Sequence, residues 1–141
     1  MVRLAESPQD LERVYAIRHQ VFVQEQGVPA DLEQDSYDAQ ATHWLARHQE
    51  QDVATARLVR YSADQGKIGR VAVLPEWRGQ GVGLEIMEAI HQWVEGQPLK
   101  QLLLDAQFTV TPFYQKLGYQ AQGEIFEDCG ILHQRMVRWL A

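Results

Sequence analysis

The spacing of hydrophobic residues along the chain predicts a mixed succession of helices and strands. Between Ser7 and Phe22 the apolar positions recur mainly every three or four residues, which is typical of an amphipathic helix. Ser7 is a suitable N-cap and Pro8 suits the first helical position, so the helix should begin there and stop near Gly27. The same spacing predicts later helices over residues 84–94 and 112–117.

Segments rich in Val, Ile and Leu, bounded by Gly, Pro or polar residues, predict strands. These segments are residues 2–6, 42–48, 53–61, 67–74, 99–106, 119–126 and 131–140. Residues 30–40 are acidic and predict a loop with one helical turn. The order of the elements predicts a single α/β domain over residues 1–141, in which a mixed sheet carries helices on both faces.

Composition and charge narrow the class of protein. With 141 residues, 45% of them hydrophobic and 23% charged, the chain can bury a core and is not disordered. The formal net charge of −6 argues against broad electrostatic binding to nucleic acid. A single cysteine, Cys129, and histidines without ligand spacing predict no metal site. Because no apolar run resembles a membrane span or a signal peptide, we expect a cytoplasmic location.

A glycine-rich turn after the strand over residues 67–74 is the most informative segment. It reads Arg78-Gly79-Gln80-Gly81-Val82-Gly83 and leads into the helix over residues 84–94. Glycines permit positive φ and remove the Cβ atoms that block close approach, and the N–H groups of a helix N-terminus attract anions. Arg78 adds a donor suited to phosphate. The turn therefore predicts a pyrophosphate site.

Two other phosphate-binding motifs do not fit the spacing of this turn. A P-loop needs Lys and then Ser or Thr after its last glycine, where this chain has Leu84 and Glu85. The dinucleotide-binding fingerprint G-x-G-x-x-G is not matched, and the turn does not follow the first strand. A plain connection without a ligand is the remaining alternative, and three glycines beside Arg78 disfavour it.

The turn resembles the R/Q-x-x-G-x-G/A motif of the GCN5-related N-acetyltransferases (GNAT), which bind the pyrophosphate of acetyl-CoA with it. Further segments resemble this family, in particular its ElaA-like subgroup, so the resemblance extends over nearly the whole chain. They are residues 18–29 (RHQVFVQEQGVP), 113–119 (FYQKLGY) and 130–136 (GILHQRM). In the last segment Leu132 stands where proline is usual, and elsewhere Gln107 stands where many members carry Asn.

The resemblance implies the GNAT fold: a mostly antiparallel sheet of about six or seven strands whose two central strands splay apart. It also implies acetyl-CoA as the cosubstrate, with its pantetheine arm in that opening and paired with strand backbone. The residues that the resemblance assigns to the coenzyme are Val71, Ala72, Val73, Arg78, Gly79, Gln80, Gly81, Val82, Gly83 and Gln107.

Tyr114 is the candidate catalytic acid, because the family motif places a tyrosine there. A phenol with a reference pKa of about 10 stays protonated at neutral pH and can protonate the leaving thiolate. The sequence does not single out the base that deprotonates the amine. Its candidates are Glu25, Glu33, Asp35, His43 and His133. The acidic residues 31–38 either attract a cationic amine or form a solvated surface.

Together these features predict an acetyl-CoA-dependent N-acetyltransferase that transfers the acetyl group directly to a primary amine. The acceptor would be a small-molecule or peptide amine, with no nucleic acid or membrane as partner, and its identity is not encoded in any recognisable motif. The alternative is a non-catalytic acyl-CoA-binding or sensor domain. Homodimers are the commonest protein assemblies, and on that ground alone a homodimer is the expected assembly.

Overall fold

The computed structural model describes residues 1–140 and shows a mixed α/β fold. Its helices are α1 (Pro8–Arg18), α2 (Ala30–Glu33), α3 (Val82–Val94) and α4 (Thr111–Lys116), with a π-helix at His19–Glu25 and 3₁₀ turns at Pro75–Trp77 and Phe108–Val110. Its strands are β1 (Val2–Leu4), β2 (Thr42–His48), β3 (Gln51–Arg60), β4 (Gln65–Val73), β5 (Gln101–Gln107), β6 (Gln120–Ala121), β7 (Phe126–Asp128) and β8 (Ile131–Trp139). The described strands form a sheet in the order β1-β2-β3-β4-β5-β8-β6, with β7 paired to β8.

The chain forms two compact units, and the divisions between them fall at the last residue of β3, within β4 and before Pro98. The first unit contains Met1–Val59 and Arg70–Gln97, and the second contains Arg60–Gly69 and the described residues from Pro98 onward. Among the described residues, no helix is both long and apolar enough to cross a membrane. The organisation of the chain as one functional domain stays a prediction.

In the first unit, helices cover both faces of the sheet. Leu45 of β2 belongs to a buried cluster with Val14 and Ile17 of α1. The neighbouring Trp44 packs edge-on against Trp93 of α3, with ring centroids 5.5 Å apart. Since successive residues of a strand point to opposite faces, α1 and α3 lie on opposite sides of β2. The predicted arrangement of helices on both faces is therefore confirmed.

The first helix begins as predicted but is not α-helical throughout. Ser7 Oγ accepts a hydrogen bond from the Asp10 N–H at 3.1 Å, and Pro8 occupies the first turn. The helical segment stops near Gly27 as predicted, but it is not one α-helix, because α1 ends at Arg18 and the π-helix His19–Glu25 follows. Over seven residues, the spacing of apolar positions does not distinguish i→i+4 from i→i+5 bonding.

In the second unit, β5 is paired with β4 on one side and β8 on the other. Its pairing with β4 is parallel and ends at Ile68–Leu104, whereas its antiparallel pairing with β8 continues to Gln107–His133. A parallel pair requires a long crossover, and the chain between these strands contains α3. The sheet is thus mostly antiparallel, and its two central strands pair over only part of their length.

The C-terminal segment differs from the predicted pair of long strands. A continuous strand over residues 119–126 is wrong, because pairing stops after β6 and Gly123 has a φ of 79° that extended backbone does not adopt. A hairpin joins β7 to β8 instead. Its central residues Cys129 and Gly130 have φ values of 51° and 77°, as a two-residue type I′ turn requires.

Candidate active site

The glycine-rich turn joins β4 to α3 within the first unit. Gly79 and Gly81 have φ values of 74° and 83°, and Gly81 is the N-cap of α3. A Cβ built at either position meets no atom within 4 Å, so the space over the turn is open. The first intrahelical bond runs from the Glu85 N–H to the Gly81 carbonyl. The N–H groups of residues 82–84 precede that bond and have no acceptor within the helix, which leaves them for a bound anion.

Arg78 pairs with a carboxylate from the end of the π-helix. Its Nη1 and Nη2 donate to the two oxygens of Glu25 at 2.6 and 2.7 Å, and its Nε donates to the Val73 carbonyl at 2.9 Å. The hydrogen bonds from Arg78 lower the pKa of Glu25. The two side chains are 42% and 37% exposed. The arginine predicted to bind phosphate therefore has a carboxylate partner already.

The end of β4 presents alternating backbone groups to its two edges. The Leu74 N–H donates to the Val53 carbonyl of β3 at 2.9 Å. Because the hydrogen-bonding direction alternates along an antiparallel strand, Ala72 faces β3 as well, and Val71 and Val73 turn their backbone away from it. The side chain of Ala72 is buried in the cluster against α1. Val71 and Val73 thus turn their backbone groups away from β3, and the Val73 carbonyl already accepts the hydrogen bond from Arg78 Nε.

An ion network anchors the acidic segment in the first unit. Arg18 is fully buried and donates to Glu33 Oε2 at 2.9 Å and to Asp38 Oδ1 at 2.7 Å. Arg57 donates to Asp35 and Asp38 at 2.7 and 2.8 Å. Burial acts to raise the pKa of Asp38, but the two arginines outweigh it and the pKa is lowered. The same kind of hydrogen bond from Arg57 lowers the pKa of Asp35.

A third arginine, Arg70 of β4, connects this network to the sheet. Its Nε donates to Glu33 Oε2 at 2.9 Å, and its own φ of 51° interrupts the regular strand. Glu33 and Asp38 are 4% and 6% exposed, which excludes the solvated-surface interpretation for these two residues. Sequence reasoning missed the arginine group, although Arg18 stands on the apolar face of α1. A charged residue at such a position indicates a buried ion pair.

Tyr114 lies on α4 in the second unit. Its side chain is buried and packs edge-on against Phe113 and Tyr119, with ring centroids 5.0 and 5.9 Å away. Burial raises the pKa of the Tyr114 phenol to about 12. The helix ends at Lys116. Gly118 then turns the chain with a φ of 90°, and the Tyr119 N–H donates to the Tyr114 carbonyl at 3.1 Å. The phenol is therefore a proton donor at neutral pH and not a phenolate.

His133 lies opposite Gln107 in the pairing of β8 with β5. Its Nδ1 is 2.8 Å from the Ile131 carbonyl, which can only accept a hydrogen bond. A neutral His133 ring therefore carries its proton on Nδ1 and its lone pair on Nε2. The ring stacks on Phe126, with centroids 5.7 Å apart and planes at 21°. These contacts orient the lone pair of a half-buried imidazole.

The five base candidates have different surroundings. Glu25, Glu33 and Asp35 each accept hydrogen bonds from a guanidinium group, so their carboxylate oxygens already have partners. His43 is buried, and its Nε2 donates to the Asp38 carbonyl at 3.0 Å. Of these candidates, His133 combines partial exposure with a defined lone pair. Among residues 1–140, no group of three or more His, Cys, Asp or Glu side chains is placed to hold a metal ion.

Sequence similarity confirms the class of protein that the fold and the glycine turn indicate. A sequence model of the acetyltransferase (GNAT) domain matches residues 4–140, and the chain belongs to the GNAT acetyltransferase family. A relative from Bacillus subtilis (strain 168), named provisionally as an acetyltransferase, is 38% identical over 140 residues, which cover 97% of this chain and 95% of the relative.

The predicted similarity to ElaA is confirmed at two levels. The protein ElaA of Escherichia coli (strain K12) is 33% identical over 146 residues, covering 96% of this chain and 93% of ElaA. The crystal structure of Escherichia coli ElaA has a TM-score of 0.85 at 29% identity and covers 98% of this chain and 99% of that chain. An acyl-CoA N-acyltransferase from Pseudomonas aeruginosa has a TM-score of 0.86 at 29% identity, with coverages of 98% and 97%.

Proposed function

We propose that this protein transfers an acetyl group from CoA to the primary amine of an acceptor. The observation that carries the proposal is the open glycine turn at the N-terminus of α3. Membership in the GNAT family supports acyl transfer, and the name of the Pseudomonas aeruginosa relative supports CoA as the acyl carrier. The single-domain organisation, the cytoplasmic location and a homodimer are predictions that accompany it.

In this proposal the turn binds the pyrophosphate of the coenzyme. The N–H groups at the start of α3 donate to its oxygens, while Gly79 and Gly81 keep the approach free of side chains. The buried Val82 contributes its backbone alone. The backbone of Val71 and Val73 pairs with the pantetheine amides, and the Gln107 amide supplies a further polar contact.

The chemistry requires one proton to leave the amine and one to reach sulfur. The neutral amine nitrogen attacks the thioester carbonyl carbon, and the tetrahedral intermediate collapses by breaking the carbon–sulfur bond. Tyr114 donates its proton to the departing thiolate and regains one from solvent. The lone pair on His133 Nε2 accepts the proton that the amine loses, either directly or through water.

The first test is binding of acetyl-CoA, measured as a thermal shift beside ATP and NAD. A ligand that binds only the folded protein stabilises it by about 2.7 kcal/mol at a hundredfold excess over Kd. We expect a shift with acetyl-CoA alone. The variant Gly83→Val should lose it, because a side chain at the start of α3 blocks the phosphate while a helix tolerates the substitution.

The matched control is Leu84→Val, which places the same side chain one residue later at an exposed position. It should keep the shift. Gly81 is unsuitable for this test, because its φ of 83° would strain any side chain. If the wild-type protein showed no shift at millimolar acetyl-CoA, the proposed function would be wrong.

The second test addresses Tyr114 as the acid. Tyr114→Phe should lower kcat by about 10²–10⁴-fold with an unchanged Kd for acetyl-CoA, since general acid catalysis contributes on that scale. Release of free CoA is followed with a thiol reagent over a panel of amines, with the exposed Tyr37→Phe as control. An unaltered kcat would contradict the role. Binding without turnover of any amine would favour the non-catalytic alternative.

A further inference from the structure

The ion pair between Glu25 and Arg78 engages the guanidinium group at the start of the glycine turn. All three guanidinium nitrogens are engaged, two by the Glu25 carboxylate and one by the Val73 carbonyl. The Glu25 contacts form the planar, bidentate geometry that guanidinium groups also use for phosphate. A phosphate that binds Arg78 in the same bidentate geometry, through the same N–H groups, must therefore replace Glu25.

The pair is placed where such an exchange is easy. Its side chains are 42% and 37% exposed, and ion pairs with this exposure contribute little to stability because water screens them. A pyrophosphate carries more negative charge than a carboxylate. It also accepts hydrogen bonds from the N–H groups at the start of α3. The incoming ligand therefore has contacts that Glu25 lacks.

The backbone around Glu25 is fixed independently of the ion pair. The N–H groups of Gln26 and Gly27 donate to the carbonyls of Val21 and Val23 at 3.2 and 3.1 Å, which closes the π-helix. Gly27 then turns the chain with a φ of 75°. The Glu25 side chain can therefore leave Arg78 by rotation while its helix stays in place.

We infer that the Glu25 carboxylate competes with the coenzyme pyrophosphate for Arg78 and thereby sets the affinity for acyl-CoA. The inference rests on the proposed function, because it assumes that the pyrophosphate binds at the turn. Coenzyme binding is then an exchange, in which Arg78 gives up one anion and gains another. Removing the charge of Glu25 should make binding tighter, whereas removing a residue that positions the site would make it weaker.

The experiment is a double-mutant cycle with acetyl-CoA as the ligand, followed by isothermal titration calorimetry. Glu25→Gln should bind acetyl-CoA about two- to fivefold more tightly than the wild type, as expected for release of an exposed ion pair. Arg78→Gln should bind more weakly. In the Arg78→Gln background, Glu25→Gln should have no further effect, because the two residues act through one contact.

The matched control is Glu76→Gln, which removes the same charge beside Arg78 from an exposed residue that forms no side-chain bond to it. An effect of Glu25→Gln no larger than that of Glu76→Gln would overturn the inference. Tighter binding that persists in the Arg78→Gln background would also overturn it. If the wild-type protein binds no acetyl-CoA, both the proposed function and this inference are wrong. If the wild-type protein binds acetyl-CoA but Glu25→Gln does not bind it more tightly, only the inference about Glu25 is wrong.

Discussion

Two guanidinium–carboxylate assemblies in the first unit have the same chemistry and opposite surroundings. Arg78 and Glu25 lie at 2.6 and 2.7 Å with both side chains more than a third exposed. Arg18 lies 2.7 Å from Asp38 with side-chain exposures of 0% and 6%. The distances do not distinguish the two assemblies, but burial does, because water screens an exposed pair and cannot replace a buried partner.

This difference assigns the assemblies to different tasks. In the buried network, loss of the Arg18 guanidinium takes one of two counter-charges from each of two carboxylates, and water does not reach them to replace it. In the exposed pair, either side chain can be solvated or can take another partner. The buried network therefore holds the acidic segment and α2 against the sheet, and the exposed pair is free to respond to a ligand.

The largest expected effect comes from breaking the buried network. Arg18→Met removes the charge and keeps an unbranched side chain of related length, so that Glu33 and Asp38 each lose one of their two guanidinium partners in the interior. We expect a loss of about 3–5 kcal/mol in the free energy of unfolding, measured by urea denaturation. Arg18→Lys should retain part of that stability. A loss of less than about 1 kcal/mol in Arg18→Met would show that the network is not structural.

The second effect is a loss of stability in acid. Asp38 has a pKa lower in the folded protein than its unfolded value of about 3.9, so the unfolded chain takes up its proton first as the pH falls. The stabilisation from Asp38 is complete above about pH 5 and decreases as the pH falls below it, by about 1 kcal/mol at pH 3. Urea unfolding at pH 7 to 3 measures it.

A comparison of variants identifies the carboxyl responsible for the acid effect. Asp38→Asn should be less stable than the wild type at pH 7, and the gap should narrow as the pH approaches 3. Glu25→Gln should follow the wild-type profile, because its carboxylate is exposed. A gap between Asp38→Asn and the wild type that stays constant over this range would contradict the assignment.

The smallest expected effect is on the exposed pair. Arg78→Met makes the same substitution as Arg18→Met and should reduce the free energy of unfolding by no more than about 1 kcal/mol. Urea denaturation of the two variants side by side tests the comparison directly. Equal losses of stability would mean that burial does not separate the two assemblies.

Local signals predicted those parts of the fold that short-range chemistry determines. The Ser7 cap, the bounds of β2 and the helix after the glycine turn follow from neighbouring residues and agree with the structure. The π-helix and the break at Gly123 do not, because they depend on backbone angles that the apolar pattern does not encode. Composition and periodicity did not predict which residues of β5 pair with which residues of β4 and β8.

The candidate site shows the same division. The glycines at positions 79 and 81 predict a turn with positive φ, and both residues have positive φ in the structure. The partners of charged residues are a different matter, since Glu25 and Arg78 are 53 positions apart. A run of acidic residues in sequence also does not state which of them is exposed, and here Asp31 is exposed while Asp38 is buried.

The sequence by itself determined the family, the α/β class and the glycine-rich turn, because each depends on residues close together in the chain. Only the tertiary structure decided which carboxylates are paired and which imidazole keeps an oriented lone pair. Those outcomes depend on long-range contacts and on burial, which sets how strongly water competes for each charge. The roles of Glu25 and Arg18 therefore became distinguishable only once the chain was folded.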